Sequence, residues 1–180
     1  MPKKINYFIW RVAIVLLLVS SSSLAGFKKI DKGSKSWPKN SGYWLLFVAR
    51  DYMPGHAFVV WAVRDRKNNT WRSYQGFGLY PKNSKEAAFG TVPGYIVRES
   101  IKSLNSIDNG LAVAVTKKMY DYAYVNTKAI SSYPVSYHLL NDNCVNFTDL
   151  VARAISLNTP KIFGAKQHPQ GYINALKNNN

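Results

Sequence analysis

Apolar and polar positions follow two different rhythms along this chain. The first half alternates short apolar runs with polar breaks, and the second half carries apolar residues at helical spacing. Residues 43–49 form an apolar run of strand length. Residues 56–63, His-Ala-Phe-Val-Val-Trp-Ala-Val, are rich in β-branched and aromatic side chains, as a buried strand is. Pro54-Gly55 before it and Asp65-Arg66-Lys67-Asn68-Asn69 after it carry turn chemistry, so 70–77 is the returning strand. Gly76, Gly78, Pro81 and Asn83 break the pattern, and further strands are expected at 95–98 and 111–116. Over 117–130 the spacing predicts a helix, with Met119, Tyr122, Ala123 and Asn126 on one side and Ser131-Ser132-Tyr133-Pro134 ending it. Phe147, Leu150, Val151, Ala154 and Ile155 continue a second helix behind Cys144, stopped by Asn158-Thr159-Pro160, and a short third helix is expected at 170–176. Strands first and helices later predict an α+β domain with a mostly antiparallel sheet.

The first 25 residues follow a different logic. Lys3, Lys4 and Arg11 flank an apolar stretch from Val12 to Val19 that is too short to span a bilayer. Ser23-Leu24-Ala25 fits the small-x-small cleavage pattern. The expectation is a secretory signal peptide cut between Ala25 and Gly26, and a secreted or periplasmic protein. No cysteine stands at the cut to take a lipid. Behind it, 26–42 reads as a basic flexible leader, 43–176 as one domain, and 177–180 as a disordered tail. The 155 residues left after the cut (180 less 25) are enough to bury a core without disulfide staples.

Charge narrows the partners. The formal net charge is +15, and removing the three cations of the signal segment leaves +12. Arg50, Arg64, Arg66, Lys67 and Arg72 gather around the 56–77 hairpin, a surface that steers polyanions toward itself. Outside the cytoplasm the expected partner is an anionic cell-wall polymer or an envelope lipid. No nucleic-acid recognition motif is present in the sequence.

Cys144 is the only cysteine, so the chain forms no internal disulfide. Asp142 or Asn143 can cap a helix that starts at Cys144. A thiol at that position faces unpaired backbone N–H groups and the positive end of the helix dipole. Both favour the thiolate, the reactive form. A base for it must come from His56, His138 or His168. One cysteine and three scattered histidines lack metal-ligand spacing, and no metal or other cofactor is expected.

Two motifs together carry a resemblance. Gly55-His56-Ala57 opens a strand, and Tyr137-x-Leu139-x-x-x-Asn143-Cys144-x-x-Phe147 opens a helix. In this order they resemble the circularly permuted papain-like cysteine hydrolases, the permuted NlpC-type enzymes related to the lecithin–retinol acyltransferase group. The strand-plus-helix from Val113 to Tyr120, Pro160, and Pro169-x-x-Tyr172-Ile173 extend the likeness over residues 43–176. The resemblance implies a Cys144 nucleophile, a His56 base and a third polar residue on the strand after the histidine strand. A tight hairpin would bring His56 near Phe77, with Gln75 and Ser73 sharing its face. Gln75 has the longer reach and is preferred. Tyr43, Trp44, Tyr137 and Asn143 are the residues expected to line the substrate cleft. The implied activity is hydrolysis of an amide, in cell-wall peptide first of all, through a thioacyl-enzyme. The alternatives are a lipid acyl hydrolase or acyltransferase and a catalytically inactive envelope-binding module. An inhibitor protein is a further partner to look for, and the oligomeric state is left open.

Overall fold

The computed structural model describes residues 26–50, 55–100, 107, 109–163 and 168–180, so the expected signal segment lies outside the described residues. Among these residues the frame is a seven-stranded sheet of β1 (Gly26–Asp31), β2 (Ser41–Arg50), β3 (His56–Asp65), β4 (Thr70–Pro81), β5 (Val92–Arg98), β6 (Asn109–Val115) and β7 (Val135–Tyr137), in the spatial order β1-β6-β2-β3-β4-β5-β7. Its centre is the pair β2 (Ser41–Arg50) and β3 (His56–Asp65), antiparallel from Ser41 opposite Asp65 to Arg50 opposite His56. Phe58, Val59, Val60 and Trp61 are all buried, which explains a continuous apolar run where a half-exposed strand would alternate.

β4 (Thr70–Pro81) returns beside β3 through a side-chain-built turn. Asp65 Oδ1 accepts from the N–H groups of Lys67 (2.8 Å) and Asn68 (3.1 Å), and Asn69 sits at φ 57°, a conformation asparagine tolerates. Val63 faces Ser73 while Arg64 faces Trp71, so Arg72 is the extra residue of a bulge; its guanidinium pairs with Asp65 at 2.8 and 3.0 Å. β5 (Val92–Arg98) and the three-residue β7 (Val135–Tyr137) extend that side antiparallel. β6 (Asn109–Val115) pairs antiparallel with the other side of β2, and β1 (Gly26–Asp31) lies parallel outside it.

Three helices pack against this sheet among the described residues: α1 (Lys117–Ile130), α2 (Cys144–Ala154) and α3 (Pro169–Asn179). Thr116 Oγ1 accepts from the Met119 N–H (3.1 Å) and caps α1. α2 lies on β3 and β4, and α3 on β2, β6 and β3. Leu45, Phe47, Val59, Trp61, Leu111 and Val113 meet Val145, Val151, Ile155, Tyr172, Ile173 and Leu176 in one core. Each such side chain contributes roughly 1.5–3 kcal/mol by leaving water. Tyr172, fully buried, donates to Asp149 Oδ1 (2.9 Å) and so fixes α3 against α2. The opposite face of the sheet carries a second cluster of Phe27, Leu46, Val48, Phe58, Val60, Ala62 and Ala112. The architecture is α+β with a sheet antiparallel except at β1, in agreement with the sequence pattern.

Both ends of the domain are more ordered than composition suggested. The segment expected as a loose leader supplies β1, because Phe27 is buried and Ile30 packs on the core while the lysines between them point outward. The tail expected as disordered is helical to Asn179. Asn180 Oδ1 accepts from the Asn158 N–H (2.9 Å), and Asn180 Nδ2 donates to Asn158 O (3.0 Å). Polar asparagines that look unstructured in sequence here serve as a clasp.

Candidate active site

Cys144 is the first residue of α2, and of the two possible caps the structure uses Asn143. Asn143 Oδ1 accepts from the Val145 N–H (2.8 Å), and Asn146 Oδ1 accepts from the Asn143 N–H (3.1 Å), a reciprocal capping pair. Asn143 Nδ2 also donates to Leu139 O (2.6 Å). Asn143 thus sets the position of Cys144, and its side chain is spent on backbone instead of facing a cleft. Cys144 itself is only 5% exposed.

His56 begins β3. Gly55 before it has φ 80°, a left-handed conformation suited to glycine, and this turn aims the strand start. The ring is buried against Tyr80 (centroids 4.1 Å apart) and Phe58 (5.7 Å). Its Nε2–H donates to Glu99 Oε1 at 3.1 Å. Tyr80 Oη donates to the same oxygen (2.8 Å), and Arg50 pairs with Glu99 Oε2. Glu99 follows β5 and is two strands away from His56. Such a separation is about 9–10 Å, twice the strand spacing. Gly78, on β4 between them, closes that gap. A Cβ at Gly78 would lie 2.3 Å from His56 Nε2 and 2.8 Å from Glu99 Oε1, so the absent side chain is what lets the two meet. The Glu99 N–H bonds Gly76 O (2.9 Å) and continues the sheet ladder past β5.

The electrostatics follow from burial. Desolvation pushes the Glu99 carboxyl up, but the hydrogen bond and charge of His56, the Tyr80 hydroxyl and Arg50 outweigh it, and Glu99 is held below the ordinary carboxylate range. Burial, and then the nearby Glu99 anion, push the Tyr80 phenol far up, so it remains a donor. Burial also raises the Cys144 thiol. The backbone N–H groups of Ala57, Cys144 and Val145 pull it back down, and the Glu99 charge adds to the rise. The net is upward, opposite to the lowering expected from a helix start, because near-complete burial exceeds what the amides return. The Ala57 interaction also locates the sulfur beside the residue that follows His56. Among the described residues no hydrogen bond joins the sulfur to the imidazole. Burial, with the Cys144 charge added, pushes the phenol of Tyr137 up to about 12.

The other expected residues divide by position. Gln75 does not reach His56. It pairs opposite Trp61, and Val59 faces Phe77, because β4 runs on to Pro81 and the hairpin carries a bulge. Ser73 lies further still, opposite Val63. Tyr43 and Trp44 sit near the far end of β2: Tyr43 packs on Tyr120 (5.3 Å), and Trp44 stands on the opposite face between Trp37 and Trp71. Tyr137 is close to Cys144 but buried. His138 Nδ1 accepts from the Leu140 N–H (3.2 Å) and shapes the turn into α2. His168 stands at the N-cap position of α3 without a side-chain capping bond, its ring near Gly55. Glu99 went unnoticed in sequence; its signal is an acid just past a strand end, paired with a glycine on the strand before it.

No protein-family model, curated protein or solved structure matches the chain.

Proposed function

We propose that the protein is a cysteine hydrolase acting through Cys144, His56 and Glu99 on an amide bond, in cell-wall peptide first of all. One arrangement carries the reading: a buried histidine held by a carboxylate on Nε2 and, one residue along the same strand, the Ala57 N–H, which favours the thiolate of the sole cysteine at a helix start. The order of the motifs, histidine strand before cysteine helix, supports a permuted papain-like fold for this site.

The chemistry follows from those positions. With Nε2 engaged by Glu99, Nδ1 is the ring nitrogen left to act as base. It takes the thiol proton as the sulfur attacks the carbonyl carbon. The Cys144 N–H, at a helix start without an intrahelical acceptor, is placed to bind the developing oxyanion. Collapse breaks the C–N bond, and His56 returns the proton to the leaving amine. Water, deprotonated by His56, then cleaves the thioester and releases the acid and the thiol. Glu99 stabilises the imidazolium and fixes its orientation, while Arg50 and Tyr80 keep Glu99 ionised.

A second reading, lipid acyl hydrolysis or transfer, draws on an exposed apolar group beside the site. Phe89, Leu139 and Leu140 are exposed, and Leu139 is tied by its N–H to Ala87 O (3.3 Å) and by its carbonyl to the Asn143 cap. Digestion of purified peptidoglycan and of phospholipid vesicles, each beside Cys144→Ala and His56→Ala, decides between the readings. New amines from the wall, produced by the wild type alone, support the amidase. Free fatty acid produced by the wild type alone supports the lipid enzyme. Equal products from all three proteins remove both.

A further inference from the structure

At the end of the sheet away from His56, three tryptophans gather on the face opposite the helices. Trp44 lies six residues before Arg50 on β2, about 20 Å at roughly 3.3 Å per residue. Its ring is 5.5 Å from Trp37 and 6.5 Å from Trp71. Gly42 makes room for Trp37, since a Cβ there would come within 2.9 Å of that ring. Trp37 Nε1 donates to Val115 O. Trp44 Nε1 is buried and has no acceptor among the described residues. Trp37 and Trp44 wall a cavity of about 260 Å³ with Lys29, Asp31 and Ser34. That is just below the ~300 Å³ at which small-molecule clefts begin, room for a single ring.

Two arginines lie over the outer rings of this cluster. The Arg64 guanidinium lies 5.4 Å from the Trp71 ring and that of Arg66 5.8 Å from the Trp37 ring. Both donate only to backbone carbonyls, of Asn69 and Pro38, so no carboxylate offsets them among the described residues. Asp31, the acid at the cavity, is occupied by the N–H groups of Gly33 (2.9 Å) and Ser34 (2.8 Å) and by the Ser34 hydroxyl.

We propose that the Trp37–Trp44–Trp71 face binds a carboxylated glycan strand. Indole faces carry negative quadrupoles that attract the polarised C–H faces of sugars. The orphan Trp44 N–H calls for an oxygen acceptor, which a hydroxyl or ring oxygen supplies. Arg64 and Arg66 take the carboxylates of flanking sugars. A membrane fits less well: all three rings are half-buried and pack on one another tilted or edge to face, and two of them wall a concave space. The surface is remote from Cys144, so it anchors polymer whatever the bond cleaved.

The test is calorimetric titration of the full chain with oligogalacturonate, with peptide-free peptidoglycan strands, with neutral chitin oligosaccharide of equal length, and with phosphatidylglycerol vesicles. At least one carboxylated glycan binds more tightly than the neutral one, and its affinity falls about tenfold near 1 M salt, where screening acts within ~3 Å. Trp44→Phe, which keeps an aromatic ring but loses the N–H and part of the ring contact, and Arg64→Gln each weaken binding about tenfold, the effect expected of a central contact. Circular dichroism and melting of both variants establish that they are folded. Binding to neither carboxylated glycan, equal affinity for the neutral one, indifference to both substitutions, or binding to vesicles alone overturns the proposal.

Discussion

Gly78→Ala adds one methyl group and should disable the site. The new Cβ would stand 2.3 Å from His56 Nε2 and 2.9 Å from its Cε1, where ordinary contact begins at 3.4 Å. The ring or the Glu99 carboxylate must therefore retreat by about 1 Å, and displacements of that size cost on the order of 10²-fold in rate. Neither group has space to yield, since His56 is 6% and Glu99 7% exposed. Overpacking should also cost roughly 1–3 kcal/mol of stability. For a domain of this size each kcal/mol lowers Tm by about 2–4 °C. The assay is kcat/KM on the substrate found by digestion, with a melting curve on the same sample. Gly90→Ala is the control, because a Cβ there meets nothing within 4 Å. A folded Gly78→Ala protein with turnover within about twofold of wild type, well inside the cost expected of a 1 Å displacement, would refute the role given to the His56–Glu99 contact.

Other perturbations read other parts of the structure. Glu99→Gln leaves Arg50 beside a neutral partner and should destabilise the fold by about 3–5 kcal/mol in urea unfolding. Because the folded Glu99 pKa is lowered, its stabilisation is present above the ordinary carboxylate value of ~4.3 and fades as pH falls through the lower folded value; the gap between wild type and Glu99→Gln should shrink there. Cys144 works with the opposite sign: its thiol is raised, so above about pH 8.5 the unfolded chain ionises first and stability falls with rising pH. Comparison with Cys144→Ser in unfolding at pH 7 and 10 measures this, and the serine variant should lack the added loss. Ser156 has φ 55° just after α2, with the Leu157 N–H on Ala152 O (3.0 Å) and the Ser156 N–H on Arg153 O (2.9 Å), the pattern of a glycine-type helix stop. Ser156→Gly should therefore stabilise the protein by up to about 1 kcal/mol, read as a higher Tm.

The sequence made some of this visible and hid the rest for physical reasons. β3 stood out because a strand buried on both faces reads as one apolar run. The start of α2 stood out because Asn143, Cys144 and the apolar spacing behind them all signal the same helix. Glu99 was hidden because its partnership with His56 crosses a whole strand. It depends on the β3–β4 register, which a bulge at Arg72 and four further residues of β4 move away from the tight-hairpin expectation that favoured Gln75. β1 was hidden because two lysines separate its two apolar residues, and β7 because three residues show no period. The upward shift of the Cys144 thiol was beyond pattern reading, since burial of the sulfur depends on how α2 seats against β3 and β4.

The most direct measurement is intact mass spectrometry of the protein, rapidly quenched in acid during turnover of whichever substrate it cleaves. The account predicts an acyl adduct that maps to Cys144, is absent from Cys144→Ala, and forms far more slowly in His56→Ala. Steady turnover by Cys144→Ala, or an adduct on any other residue, would contradict it.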